Sequence, residues 1–205
     1  TGDIEGAIAL YQESLTLTEQ IGNVQTKAAT LHNLAMLKAN TGDIEGAIAL
    51  YQESLTLTEQ IGDVKTKAAT LHELGTLKAN TGDIEAAIAL SQESLTLTEQ
   101  IGDVKTKAAT LHELGTLKAN TGDIEAAIAL FQESLTLNEQ IGNLQGKAAT
   151  LAMLGQLLAI QQDFDTGLDY LHQSWEILKH IQSPEAEKVP QYINRVQQMK
   201  DNAQE

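Results

Sequence analysis

From Asp43 onward, apolar residues fall at Ile44, Ala47, Ile48, Tyr51 and Leu55. That i, i+3, i+4, i+7 spacing lays one stripe along an α-helix. A second apolar set, Leu50, Leu57 and Ile61, widens the stripe, as a helix covered on two sides requires. The next segment carries Val64, Ala68, Leu71, Leu74 and Gly75 on one face and runs to about Asn80. Nothing alternates with period two, so no strand is predicted. Punctuation agrees with these bounds: Thr41-Gly42 ends one helix with glycine in the left-handed position, and Asp43 caps the next, with Glu45 in its first turn. Gly62 closes that helix, and Asp63 caps the one after it.

The same forty-residue pattern occurs four times, as Thr1 to Asn40, Thr41 to Asn80, Thr81 to Asn120 and Thr121 to Ile160, and decays after Gln161. Repetition in this range means a stack of helix pairs, because no single repeat can bury its apolar face alone. Copies two and three differ only at Gly46 against Ala86 and Tyr51 against Ser91, whereas the fourth departs at eleven positions, Ala152 among them. The chain opens with Thr1 in mid-repeat, which reads as a piece of something longer. The expected segments are a single array: 1–22, the second helix of a truncated repeat; 23–62, 63–102, 103–142 and 143–182, four helix-pair repeats; and 183–205, a C-terminal capping helix.

A family signature runs through these copies. Leu71, Leu74-Gly75, Ala87 and Ser91 have the spacing of the tetratricopeptide repeat, as do Leu31, Leu34-Ala35, Ala47 and Tyr51, and Leu111, Leu114-Gly115, Ala127 and Phe131. The small residue lets two helices approach, and the aromatic fills the gap to the next. The chain resembles the tetratricopeptide repeat family over essentially its whole length. Departures are Lys38, Lys78 and Lys118 where a Tyr is usual, the missing Pro after the second helix, and the period of forty. Longer helices follow, as in the long repeats of kinesin light chains and of bacterial signalling proteins. The resemblance implies an all-α, right-handed superhelical solenoid of antiparallel helix pairs, a protein-binding role and a cytoplasmic location.

At the ends, the first helix, Asp3 to Ile21, has an apolar face of Ile4, Ala7, Ile8, Tyr11 and Leu15 that is expected to be partly exposed and to support self-association. At the other end Phe164, Gly167, Leu168, Leu171, Trp175 and Ile181 keep the second-helix pattern. Ser183 is expected to cap a last helix with Pro184 at its first position, Val189, Ile193 and Val196 forming its apolar stripe. Pro190 is expected to kink or delay that helix.

Charge narrows the partners. With 28 acidic against 13 basic side chains the formal charge is −15, which disfavours nucleic acid and anionic membrane and leaves a neutral to basic peptide. There is no cysteine, so disulfides, thiolate metal sites and cysteine nucleophiles are excluded together. No catalytic constellation, phosphate loop or calcium loop is present, and no cofactor or enzymatic activity is expected.

The resemblance places the first helix of each repeat on the concave, ligand-facing side. Those positions are His32, Asn33, Met36 and Asn40; His72, Glu73, Thr76 and Asn80; His112, Glu113, Thr116 and Asn120; then Ala152, Met153, Gln156 and Ile160. Leu31-His32-Asn33-Leu34-Ala35 resembles the segment of long tetratricopeptides whose amides hold an extended peptide backbone, a task suited to a group that both donates and accepts. Glu73 and Glu113 in place of Asn33 point to a basic stretch in the ligand. For Asn40, Asn80 and Asn120 turn chemistry alone is the competing explanation. For the histidines the readings are ligand contact, solvated surface or metal, the last opposed by a helix spacing of ~10 Å. The carboxylates Glu53, Glu59 and Asp63 read as solvated outer surface.

Overall fold

The computed structural model describes residues 2–204, with side chains from Ile4 onward. Thr1 and Glu205, at the outer bounds of the expected segments, and the side chain of Asp3 lie outside the described residues. The elements are α1 (Gly2–Ile21), α2 (Val24–Asn40), α3 (Ile44–Ile61), α4 (Val64–Asn80), α5 (Ile84–Ile101), α6 (Val104–Asn120), α7 (Ile124–Gln140), α8 (Leu144–Ile160), α9 (Phe164–His180), a 3₁₀ turn (Pro184–Glu187) and α10 (Val189–Ala203). The fold is all-α, and among the described residues there is no strand.

Two compact units divide the chain, Thr1–Thr106 and Lys107–Glu205. In the first, α2 packs along α3 and α4 along α5, with α2 and α4 side by side. In the second, α8 packs along α9, α7 lies against α8, and α10 covers both α8 and α9.

The turns follow from residue chemistry. Gly42 and Gly62 sit at φ of 87° and 69°, where a Cβ is disfavoured. Asp43 then accepts from the Gly46 backbone N–H at 3.0 Å, and Asp63 from that of Thr66 at 3.0 Å, each satisfying an otherwise orphaned helix donor. The Lys that replaces the usual Tyr also works here: Lys78 Nζ lies 3.2 Å from the Asp83 cap and Lys118 Nζ 3.3 Å from Asp123.

Close approach within each pair depends on the small residue of the signature. A Cβ on Gly115 would meet the Phe131 ring at 3.0 Å, and one on Gly155 would meet the Gly167 carbonyl oxygen at 2.7 Å. Tyr51 and Phe131 are accordingly almost fully buried, at 1% and 0% exposure. Ser91 takes that place in α5, and its buried hydroxyl has no partner.

A polar seam runs through the cores and was not foreseen from the sequence. Ser54 Oγ donates to the Ala28 carbonyl at 2.9 Å, Ser94 to Ala68 at 2.9 Å, Ser134 to Ala108 at 2.8 Å and Ser174 to Ala148 at 2.8 Å. The carboxylates expected to be simply solvated are engaged as well. Lys27 bridges Glu19 and Glu53 at 2.8 and 3.0 Å, Lys67 bridges Glu59 and Glu93 at 2.8 Å each, and Asp63 is a helix cap.

The C-terminus differs from expectation in one respect. Ser183 makes no capping bond to the backbone; its hydroxyl bonds the Glu185 carboxylate, and Pro184 begins a single 3₁₀ turn. The helix proper starts at Val189, with Pro190 in its first turn, where a missing N–H costs nothing.

Glycine gives way in the second unit. Gln162 and Gln182 occupy the left-handed positions that glycine fills elsewhere, at φ of 66° and 54°. A side chain there costs about 1–2 kcal/mol, less the extra chain entropy that glycine brings to the unfolded state. Gln162→Gly is therefore expected to stabilise the protein by about 1 kcal/mol, and Gly122→Ala, at φ 86°, to cost about as much. Urea unfolding of both variants checks the opposite signs.

Candidate peptide-binding faces

In the first unit the expected ligand-facing residues lie on α2 and α4. Asn33, His72, Glu73 and Thr76 are half-buried, and Met36, Asn40 and Asn80 are exposed. Asn33, Asn40 and Asn80 make no side-chain hydrogen bond among the described residues, so their amides are available to a ligand. Asn40 and Asn80 are also the last residues of their helices, where the next residue's hydroxyl, in Thr41 and Thr81, bonds the preceding turn.

The histidines carry a packing role that the sequence did not reveal. His32 Nδ1 is 3.0 Å from Thr70 Oγ1, and its ring lies 5.7 Å from that of Tyr51 at 59°. One imidazole thus joins α2, α3 and α4. Thr70 spends its single hydroxyl proton on the Thr66 carbonyl, 2.8 Å away. The network therefore assigns the shared proton to Nδ1 of a neutral His32 and leaves Nε2 as an acceptor. Burial lowers the His32 pKa. Burial also raises that of Glu73, and, together with the Glu73 charge, that of the Tyr51 hydroxyl.

In the second unit His112 repeats the arrangement, with Nδ1 3.1 Å from Thr150 Oγ1 and its ring edge-on to Phe131 at 5.1 Å. Thr116 turns its hydroxyl to the His112 carbonyl at 3.0 Å, so it faces its own helix first. Glu113 is half-buried, and Asn120 is exposed at the end of α6. On α8 the corresponding positions are Ala152, Met153, Gln156 and Ile160, with Gln156 Nε2 bonded to the Ala152 carbonyl at 3.0 Å. Ala152, Met153 and Gln156 border an open hollow of about 240 Å³ together with Val189 and Tyr192 of α10.

The α1 surface is apolar, but its most exposed side chains are not the ones foreseen. Ile4 is 39% exposed, and Ala7, Ile8, Tyr11 and Leu15 are half-buried, whereas Leu10, Leu17 and Ile21 stand out at 67%, 51% and 72%. Leu50 and Leu57, their counterparts on α3, are half-buried. Among the described residues no helix is long and apolar enough to cross a membrane, and no group of three His, Asp or Glu could hold a metal ion.

The family model described as tetratricopeptide repeat matches residues 1–60, 26–100, 66–140 and 106–180. No curated protein sequence matches the chain. Among solved structures it is similar to BtubC (BKLC) from P. vanneervenii, at 18% identity over 98% of this chain and 85% of that one, with a TM-score of 0.81. A Podosopora anserina protein of kinesin light chain type, with nearly identical TPR-like repeats, aligns at 16% identity over 88% of this chain and 89% of that one, TM-score 0.66. MamA aligns at 21% identity over 87% of this chain and 91% of its own, TM-score 0.62. At these identities the likeness is one of fold: helical solenoids of tetratricopeptide type.

The histidine geometry gives a pH dependence. Burial pushes His112 from its ordinary 6.5 down to about 4. Between those values the unfolded chain holds a proton that the folded one does not. Stability is full above pH 6.5 and is lost as pH falls toward 4, levelling off once the folded imidazole protonates too. The loss is on the order of 3 kcal/mol. In the His32 cluster the raised carboxyl of Glu73 has the opposite sign and offsets part of it. Urea unfolding at a series of pH values is expected to show His112→Gln gaining on the parent as pH drops through this window. A pH-independent difference would contradict the assignment.

Proposed function

The chain belongs to the tetratricopeptide repeat family, and from that premise we propose that it is a protein-interaction module whose first-helix faces hold an extended peptide of a partner protein. The observation that carries the reading is a set of amides that make no hydrogen bond among the described residues: Asn33, Asn40 and Asn80, all on the first helices of repeats in the first unit. Asn33, the half-buried one, gains most from a ligand backbone that supplies both a donor and an acceptor, and exposed Asn40 and Asn80 can do the same in exchange for water. Neutral His32 adds Nε2 as an acceptor. Half-buried Glu73, whose charged form is disfavoured by burial, is relieved by a Lys or Arg of the ligand, which favours a basic residue at that point.

The test is selection from a displayed random-peptide library on the parent and on a variant with Asn33→Ala, Asn40→Ala, Thr76→Ala and Asn80→Ala. None of these side chains holds the fold together. Peptides enriched on the parent are expected to lose about tenfold or more in affinity on the variant. Peptides that bind both equally would place recognition elsewhere.

A second reading is favoured by α1. A shallow hollow of about 380 Å³ is lined by Ala7, Leu10, Tyr11, Ser14 and Thr30, and Leu17 and Ile21 add exposed apolar surface to the same helix. A second copy of the chain presenting the same face would cover this surface. Association through two α1 faces closes on itself. Light scattering is expected to show a concentration-dependent dimer that Leu10→Lys with Leu17→Glu converts to monomer. A monomer at high concentration would end this reading.

A further inference from the structure

The fourth copy changes the face that the other copies hold nearly constant. Ala152 replaces His, Met153 replaces Asn or Glu, and Ile160 replaces Asn. A polar ladder thereby becomes an apolar floor, and Ile160 is 57% exposed. Across from it, α10 and the residue before it present Lys188, Tyr192, Arg195 and Met199, spaced i, i+4, i+7, i+11 along one helical stripe. The hollow of about 240 Å³ between them, floored by Ala152, Met153 and Val189, adjoins a smaller one of about 80 Å³ beside Ile160 and Arg195. Gln156 and Tyr192 line both, so the two form one groove within the second unit.

Arg195 is the only arginine in the chain. It makes no ion pair or hydrogen bond among the described residues. Of the nearby lysines, Lys147 is paired with Glu139 at 2.8 Å and Lys200 with Asp165 at 2.5 Å, while Lys188 and Glu185 line the larger hollow together. An unpaired guanidinium at the edge of an apolar hollow is complementary to a carboxylate next to a bulky apolar group.

We propose that this groove binds an extended segment of a partner protein through one large apolar side chain, Leu, Met or Phe, and an Asp or Glu two residues further on. The apolar side chain fills the 240 Å³ hollow, and the carboxylate meets Arg195. The spacing follows from geometry. Three to six residues of α10 separate the Val189 and Tyr192 edge of the hollow from Arg195, about 5–9 Å of helix rise. Two residues of extended peptide span about 6.6 Å and return the side chain to the same face. Gln156, whose amide N–H is already given to the Ala152 carbonyl, keeps its oxygen to accept from the peptide backbone. The proposal rests on the peptide-binding reading, adds a second subsite to it, and asks for an acidic residue where charge balance alone suggested a neutral or basic ligand.

The experiment repeats the displayed-peptide selection on three full-length proteins: the parent, Arg195→Glu, and Ala152→His, which restores the residue of the other copies. The parent is expected to enrich apolar-x-acidic sequences. Arg195→Glu, a surface change, is expected to weaken these about tenfold or more and to enrich apolar-x-basic sequences in their place. Ala152→His is expected to weaken them similarly by filling the hollow. Enriched peptides that depend on Asn33 and Asn80 but ignore both substitutions would overturn the groove and leave the broader reading standing. No enrichment on any protein would overturn both.

Discussion

The packing of each helix pair depends on a serine hydroxyl meeting a main-chain carbonyl in a core of Ala and Leu that also buries several threonines. Two helices faced with Ala and Leu can slide past each other by a turn and keep nearly the same contacts, because the ridges repeat. Ser54 cannot slide. Its hydroxyl reaches the Ala28 carbonyl at 2.9 Å, and a shift that broke this bond would leave it buried and unbonded at a cost of about 1–3 kcal/mol. Ser94, Ser134 and Ser174 fix the other pairs in the same way, at 2.8–2.9 Å. The hydrophobic effect supplies most of the attraction, and the serine supplies the register. Ser91 illustrates the difference, since it is as buried as the others but makes no such bond and stands where Tyr51 and Phe131 fill space instead.

Fixed register is what the proposed binding face would require of a repeat. With each pair locked, residues forty apart take equivalent places on successive first helices, and within the first unit Asn40 and Asn80 become rungs of one ladder. The histidines then tie rung to rung. His32 spans from α2 to Thr70 on α4 while resting against Tyr51, so one side chain stiffens this face. A preorganised face loses less entropy on binding, which matters for a surface whose individual contacts are modest.

Much of the fold was legible in the sequence, and the reason is physical. Gly42 and Gly62, Asp43 and Asp63, and the Leu-Gly against aromatic pairing each solve a local problem with one residue type, so the residue announces the solution. The site was less legible. His32 and His112 look alike whether they face solvent, ligand or the neighbouring helix, and only the positions of Thr70 and Thr150, thirty-eight residues on, reveal the third case. The same holds for Ser54 and its three counterparts. Their recurrence with period forty on otherwise apolar faces was the available signal, but a helix-period reading that scores only apolar residues passes over it. Leu10, Leu17 and Ile21 on α1 were passed over for a related reason: they belong to the second apolar stripe, whose exposure depends on what packs against it.

Net charge says less about a ligand than do the groups lining the surface it meets. A formal −15 suggests an acidic surface that repels carboxylates, yet the acids are largely occupied. Glu19, Glu53, Glu59 and Glu93 are drawn to Lys27 and Lys67, and Asp43, Asp63 and Asp83 spend an oxygen on a helix N-terminus. At physiological salt, charges beyond about 8 Å contribute little, so a ligand meets only the groups lining its own groove. For the groove of the second unit those groups include Arg195 without a partner, and for the face of the first unit they include Glu73 with a carboxyl that burial has made reluctant to ionise. The two faces therefore ask for opposite charges, although they are built from copies of one sequence. What separates them is the set of substitutions in the fourth copy, His to Ala152 above all, which removes the imidazole that elsewhere fills the space beside the aromatic. In an array whose register is already fixed, such a change costs little structure and opens a hollow, which is why the proposed apolar and acidic subsite falls on the least conforming of the four copies.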